Sequence, residues 1–194
     1  MSIEKTLILA SFPLEDVHFA AIVNAIASVA EAGLGLFQYG STDEQPDRIV
    51  NYWIGSRPSE TIVLTEDYTL HIAYLSITAV DRERVDAISL SIARKVKTAT
   101  LDVLRDAAVE EPGEERSWIG LGLGAGAYDI EIERIIIDAL KDERAIVRGG
   151  AVKAAALAKW PQLVPALTEA RGRQENERLS ELFKYAISRC KQGY

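Results

Sequence analysis

Cysteine occurs once in 194 residues, at Cys190. No disulfide can form within the chain, so packing and hydrogen bonds have to hold the fold. A lone cysteine on an apolar helical stripe reads as a small buried hydrophobe, and its scarcity fits a reducing, cytoplasmic setting. Histidine occurs twice, at His18 and His71. Neither has a cysteine or an acid at a metal-ligand spacing, so no metal and no cofactor is expected. His71 alternates with Ala73 and Leu75 and reads as a hydrogen-bonded structural histidine. There is no G-x-S-x-G elbow, no P-loop and no zinc motif, and the balance favours a protein that is not an enzyme. Glu131 and Glu133 are two apart on a helix and do not face each other, so they read as surface charge. No apolar run approaches the ~20 residues of a membrane span. The opening MSIEKTLILASF is too short and too acidic-flanked for a secretory signal.

Basic residues are scarce in the first third of the chain. Residues 1–70 hold ten acids and three bases, the latter being Lys5, Arg48 and Arg57. The net charge of the whole protein is −7, and this stretch accounts for all of it. Such a field repels nucleic acid and attracts a partner with a basic surface. The apolar fraction, 48%, is that of a globular protein with a real core.

Hydrophobic periodicity then divides the chain. Thr6 to Ala10 reads as a buried strand, and Leu14 to Ala32 as a helix with Phe19, Ile22, Val23, Ile26 and Val29 on one face. Leu34 to Tyr39 is apolar enough for a strand, and Gly40 to Asp47 reads as a polar loop. Ile49 to Ile54 fits a strand or a helical turn. Glu60 to Thr65 is a strand, Glu66-Asp67 a turn, and Tyr68 to Val80 a second strand, giving a hairpin. Asp81 is placed to cap a helix that runs to about residue 107, with Val85, Ile88, Ile92, Val96, Ala99 and Val103 on its buried stripe. This order implies an α+β layer of mostly antiparallel strands with helices on one side.

The remainder is helical and repetitive. Glu110 lies six residues before Arg116, and Asp142 six before Arg148; the two arginines are 32 apart. A period in the range of about 20–50 residues marks stacked supersecondary units. Helices are expected at about 115–127, 130–141, 144–158, 161–171 and 175–190. The last carries Leu179, Leu182, Phe183, Ala186, Ile187 and Cys190 at helical spacing. Pro161 suits a first helical position, whereas Pro165 is harder to place in a helix interior.

Val147-Arg148 followed by Ala151, Ala154, Ala155 and Ala158, together with the repeated acid–arginine spacing, resembles HEAT-type helical repeats over about 80 residues. The resemblance implies an α-solenoid, an architecture that serves as an interaction scaffold far more often than as a catalyst. The resulting fold class is α+β: residues 1–109 as a mostly antiparallel sheet with two long helices, and residues 110–194 as a short all-α HEAT-like array.

Three functions compete. The first is a non-catalytic protein-binding module, in its specific form an immunity- or antitoxin-like protein that masks a basic partner. Its binding residues would be Asp43, Glu44 and Asp47 in the polar loop, Glu66 and Asp67 at the hairpin tip, and Tyr52 and Trp53 beside them. The second is a small-molecule or nucleotide-binding enzyme with its site at the domain junction, near Trp118 and the glycines from Gly120 to Gly126, which come close to a dinucleotide fingerprint. That fingerprint needs a strand just before it, and EEPGEERSWI is a poor strand. The third is nucleic-acid binding by Arg144, Arg148, Lys153, Lys159, Arg171 and Arg173; the balanced charge of this half disfavours it.

Overall fold

The computed structural model of the protein describes residues 2–57, 59–174 and 176–193. The chain forms two compact units, Met1–Ala99 and Thr100–Tyr194.

The first unit is a six-stranded antiparallel sheet with two helices on one face. Its elements in chain order are β1 (Ile3–Leu9), α1 (Asp16–Glu31), β2 (Phe37–Gln45), β3 (Arg48–Gly55), β4 (Thr61–Asp67), β5 (Ile72–Ala79), α2 (Arg82–Ala93) and β6 (Thr98–Ala99). The strand order is β2-β3-β4-β5-β1-β6. Cross-strand pairing puts Trp53 opposite Ile62 and Leu64 opposite Leu75, so these residues share a face. They form one core with Ile22, Ile26 and Val29 of α1 and Ile88 and Ile92 of α2. Asp81 caps α2 by accepting from the Arg84 N–H at 2.8 Å.

Three local expectations change. The segment read as a polar loop is strand: β2 runs to Gln45, and Pro46-Asp47 make a two-residue turn into β3. Residues 38–45 are all exposed, because an edge strand without a covering layer needs no apolar alternation. The β4–β5 turn falls at residues 68–71 rather than at Glu66-Asp67. The Asp67 side chain accepts from the Leu70 N–H at 2.8 Å and fixes that turn. The helix expected to run from Asp81 to about residue 107 is two helices. α2 ends at Ala93, β6 pairs with β1, and Thr100 then caps a new helix through the Val103 N–H at 3.3 Å. Val103 is consequently exposed rather than buried.

The second unit is all helical: α3 (Leu101–Glu110), α4 (Glu115–Gly124), α5 (Ile130–Ala139), α6 (Ala145–Ala158), a 3-10 turn (Pro161–Leu163), α7 (Val164–Gly172) and α8 (Glu177–Gln192). Together the two units make an α+β protein with a C-terminal helical array. Helix α6 packs against both α4 and α8. A Cβ on Gly122 would lie 2.6 Å from the Ala154 carbonyl oxygen, and one on Gly150 would overlap the Trp118 ring. Each pair is 32 positions apart, the spacing from Arg116 to Arg148. Pro165 causes no break, because α7 starts at Val164 and the proline occupies its first turn. The buried stripe of α8 is Leu179, Phe183, Ala186 and Cys190; Glu175, the expected start of this helix, lies outside the described residues. Trp118 and Trp160 are buried, and their indole N–H groups donate to the carbonyls of Pro112 at 2.9 Å and Gly126 at 3.1 Å.

Candidate protein-binding surface

Hairpin register decides which acids gather. Gln45 pairs with Arg48, and Arg48 pairs with Asp67. The Tyr68 N–H also donates to the Asp47 carbonyl at 2.8 Å. The β2–β3 and β4–β5 turns therefore lie side by side at one end of the sheet. Asp43, Glu44 and Asp47 are exposed there, and Asp67 is half-buried beside them. Gln45 bridges the group: its amide donates to Asp43 at 3.1 Å, and its carbonyl oxygen accepts from Arg48 Nε at 3.2 Å.

Two residues expected on this surface are not available to a partner. Trp53 is 3% exposed and belongs to the core under the helices. Its ring meets Tyr39 edge to face at 5.6 Å. The pleat sends neighbouring side chains to opposite faces, so Tyr52 alone of the two is exposed. Glu66 is 6% exposed. It accepts from the Leu14 N–H at 3.2 Å and the Tyr68 hydroxyl at 3.4 Å, tying the β1–α1 loop to the end of β4. A two-residue tip at Glu66-Asp67 would have exposed it; the four-residue turn leaves it inside the strand, on the helix face. Burial, and after it the Glu66 carboxylate, pushes the Tyr68 phenol above its ordinary pKa.

His71 is not the buried strand residue that alternation suggests. It lies in the turn with φ 52°, exposed, and meets Phe12 edge to face at 6.0 Å. Phe12 also packs on Tyr68 at 5.5 Å. His18 is half-buried in the first turn of α1, with Nδ1 sealed from solvent and, among the described residues, unpartnered.

A buried ion pair braces the other end of the sheet. Glu60 (1% exposed) takes two hydrogen bonds from Arg84, at 2.7 and 3.2 Å, and Arg84 also donates to the Leu34 carbonyl. Arg84, at the start of α2, therefore joins the Glu60 carboxylate of the β3–β4 loop to the Leu34 carbonyl of the α1–β2 loop. The sequence offers a signal for this pair only in hindsight: a charged residue heading an apolar strand.

The helical unit holds a second concave surface. A groove of about 680 Å³ runs across α4, α6 and α8, lined by Ile146, Gly149, Leu179, Leu182 and Tyr185 and flanked by the Glu115–Lys153 ion pair. The proposed basic stripe is largely committed within the unit. Arg144 pairs with Asp142 at 2.9 Å, Arg173 pairs with Glu169, and Arg148 donates to the carbonyls of Asp142 and Glu143 at 2.7 Å each. The glycine run from Gly120 begins inside α4, which itself follows α3 and a turn, so it lacks the strand context of a dinucleotide-binding loop, and Gly122 serves close contact with α6. Among the described residues, no helix is long and apolar enough to cross a membrane, and no group of three His, Cys, Asp or Glu side chains is placed to hold a metal ion. No family model, curated protein or solved structure matches the chain.

Proposed function

We propose that the protein is a non-catalytic binding module whose acidic sheet end engages a basic protein surface. Its specific form would be an immunity- or antitoxin-like masking protein acting in the cytoplasm. The observation that carries this reading is the meeting of the two turns. Asp43, Glu44 and Asp47 are exposed and Asp67 half-exposed at one end of the sheet, in the stretch that holds the chain's net negative charge. Exposed charges of this kind act mainly on the rate of encounter and its salt dependence. The HEAT-like resemblance of the second unit supports the same class of function, with the α4–α6–α8 groove as the alternative surface.

The test begins with a pull-down from the native host to obtain the partner. Asp43→Lys combined with Glu44→Lys is then compared with the parent protein by stopped-flow association. Both side chains are exposed on an edge strand, so the fold should persist. The on-rate at low salt should fall at least tenfold, and its dependence on ionic strength should flatten. An unchanged on-rate would remove the acidic end from the interface and direct attention to the helical groove.

A further inference from the structure

Resting on the protein-binding reading, we propose that β2 docks an extended, lysine- or arginine-bearing segment of the partner, which adds to the sheet as a further strand. β2 is the outermost strand and, among the described residues, pairs only with β3. It is nine residues long, and everything from Gln38 to Gln45 is exposed. The opposite edge, β6, is two residues long. An outer strand turns alternate backbone N–H and C=O groups away from its neighbour, and these form a template for another strand.

The features of this edge select the occupant. The register shift at Gly40 sits near the start of the strand and leaves Ser41 to Gln45 paired without interruption against Tyr52 to Arg48. The Thr42 hydroxyl donates to Asn51 at 2.7 Å and holds that stretch to β3. Its charged side chains are Asp43 and Glu44, so a second copy of this edge would set acid against acid, whereas a basic strand would set opposite charges together. Beyond the bulge lies a cavity of about 270 Å³ lined by Leu36, Gln38, Tyr39, Gly40 and Ile54. Leu36, Tyr39 and Ile54 are each at least half exposed. This cavity would take one apolar side chain of the incoming segment. The recognised chemistry is thus an extended basic run followed, across the bulge, by an apolar residue. Main-chain bonds would supply affinity and the alternate side chains specificity.

The experiment uses the full chain and an eight-residue peptide that alternates lysine with threonine and ends in isoleucine. Two analogues carry backbone N-methyl groups on one or the other alternate set of residues. Binding is followed by NMR titration and amide hydrogen exchange. Strand addition requires that the parent peptide slow exchange in residues 41–45 at least tenfold. It also requires that one N-methylated analogue bind at least tenfold more weakly while the other binds as the parent does. Equal binding by all three peptides would overturn strand addition and leave attraction by charge alone, preserving the broader reading. No binding by the parent peptide at millimolar concentration would overturn the docking edge, and the association kinetics of the charge reversal would then decide the broader reading separately. Protection of residues 41–45 by self-association without peptide would assign the edge to a second copy and overturn the proposal.

Discussion

Tyr52 and Trp53 are neighbours that the pleat sends to opposite faces, and their substitutions should differ accordingly. Trp53→Ala removes a side chain that is 3% exposed and opens a cavity; urea denaturation should show a loss of roughly 3–5 kcal/mol. Tyr52→Ala, at 36% exposure, should cost well under half of that. The Glu60–Arg84 pair calls for a different comparison. Either Glu60→Ala or Arg84→Ala leaves a buried charge without its partner, a loss of about 3–5 kcal/mol. A double replacement with apolar residues of similar volume should recover most of it. If the single variants unfold at the parental midpoint, the pair is solvated in solution.

Asp142 gives a pH prediction. Hydrogen bonds from the Arg144 side chain and backbone hold its carboxyl at about 2, below the ordinary 3.8. A folded-state pKa depressed in this way favours the folded state above the unfolded pKa, and the contribution is lost as pH falls through the folded value. The parent protein should therefore exceed Asp142→Asn in urea midpoint at pH 5. The difference should shrink between about pH 4 and pH 2. A gap that persists at pH 2 would mean that shape, not charge, holds this turn. At Cys190, burial pushes the thiol up to about 11. Thiol reagents at pH 8 should label it only after unfolding.

At the scale of elements, consecutive glycines on α6 have opposite roles. A Cβ on Gly149 would meet only Leu179 Cδ1, at 3.9 Å, whereas one on Gly150 would overlap the Trp118 ring. Gly149→Ala should stabilise by about 0.5–1 kcal/mol through helix propensity. Gly150→Ala should destabilise by about 1–3 kcal/mol through overpacking, despite the same gain in propensity. Thermal melts of the two variants should move in opposite directions. If both rise, α4 and α6 are not in close contact. The same pair of helices explains why a weak, glycine-rich sequence forms α4 at all: its small residues let α6 approach, and the packing outweighs the propensity cost.

For the whole molecule, the net charge of −7 and isoelectric point near 5.0 predict minimum solubility near pH 5. Reversing Asp43 and Glu44 to lysine removes four negative charges in net terms and should move that minimum to higher pH, as a turbidity profile would show. The charge is also spread unevenly within the first unit. Asp43, Glu44 and Asp47 belong to the β2–β3 edge. Arg94, Lys95 and Lys97 belong to the link between α2 and β6, where the Lys97 carbonyl accepts from the Ala10 N–H at 3.1 Å beside β1. Acids and bases thus mark opposite edges of one sheet, an arrangement that only the strand order reveals.

The sequence by itself determined the class of each half. Apolar alternation in ETIVLT, the 3.6-residue stripe of α1 and the stripe of α8 all report burial on one side of an element, and burial is what side-chain chemistry encodes locally. Asp81 was legible as a cap because its side chain serves a backbone N–H only three residues further on. Four features were decided by tertiary structure. β2 is a strand because β3 supplies its hydrogen-bond partners, although its own residues are polar and uncovered. α2 stops at Ala93 because β1 offers Thr98 and Ala99 an edge to pair with. Glu66 and Trp53 left the candidate surface because turn length and pleat parity, which depend on pairing register, put them on the helix face. The two acidic turns came together for that reason too: register is a property of two strands at once, and no single stretch of sequence contains it.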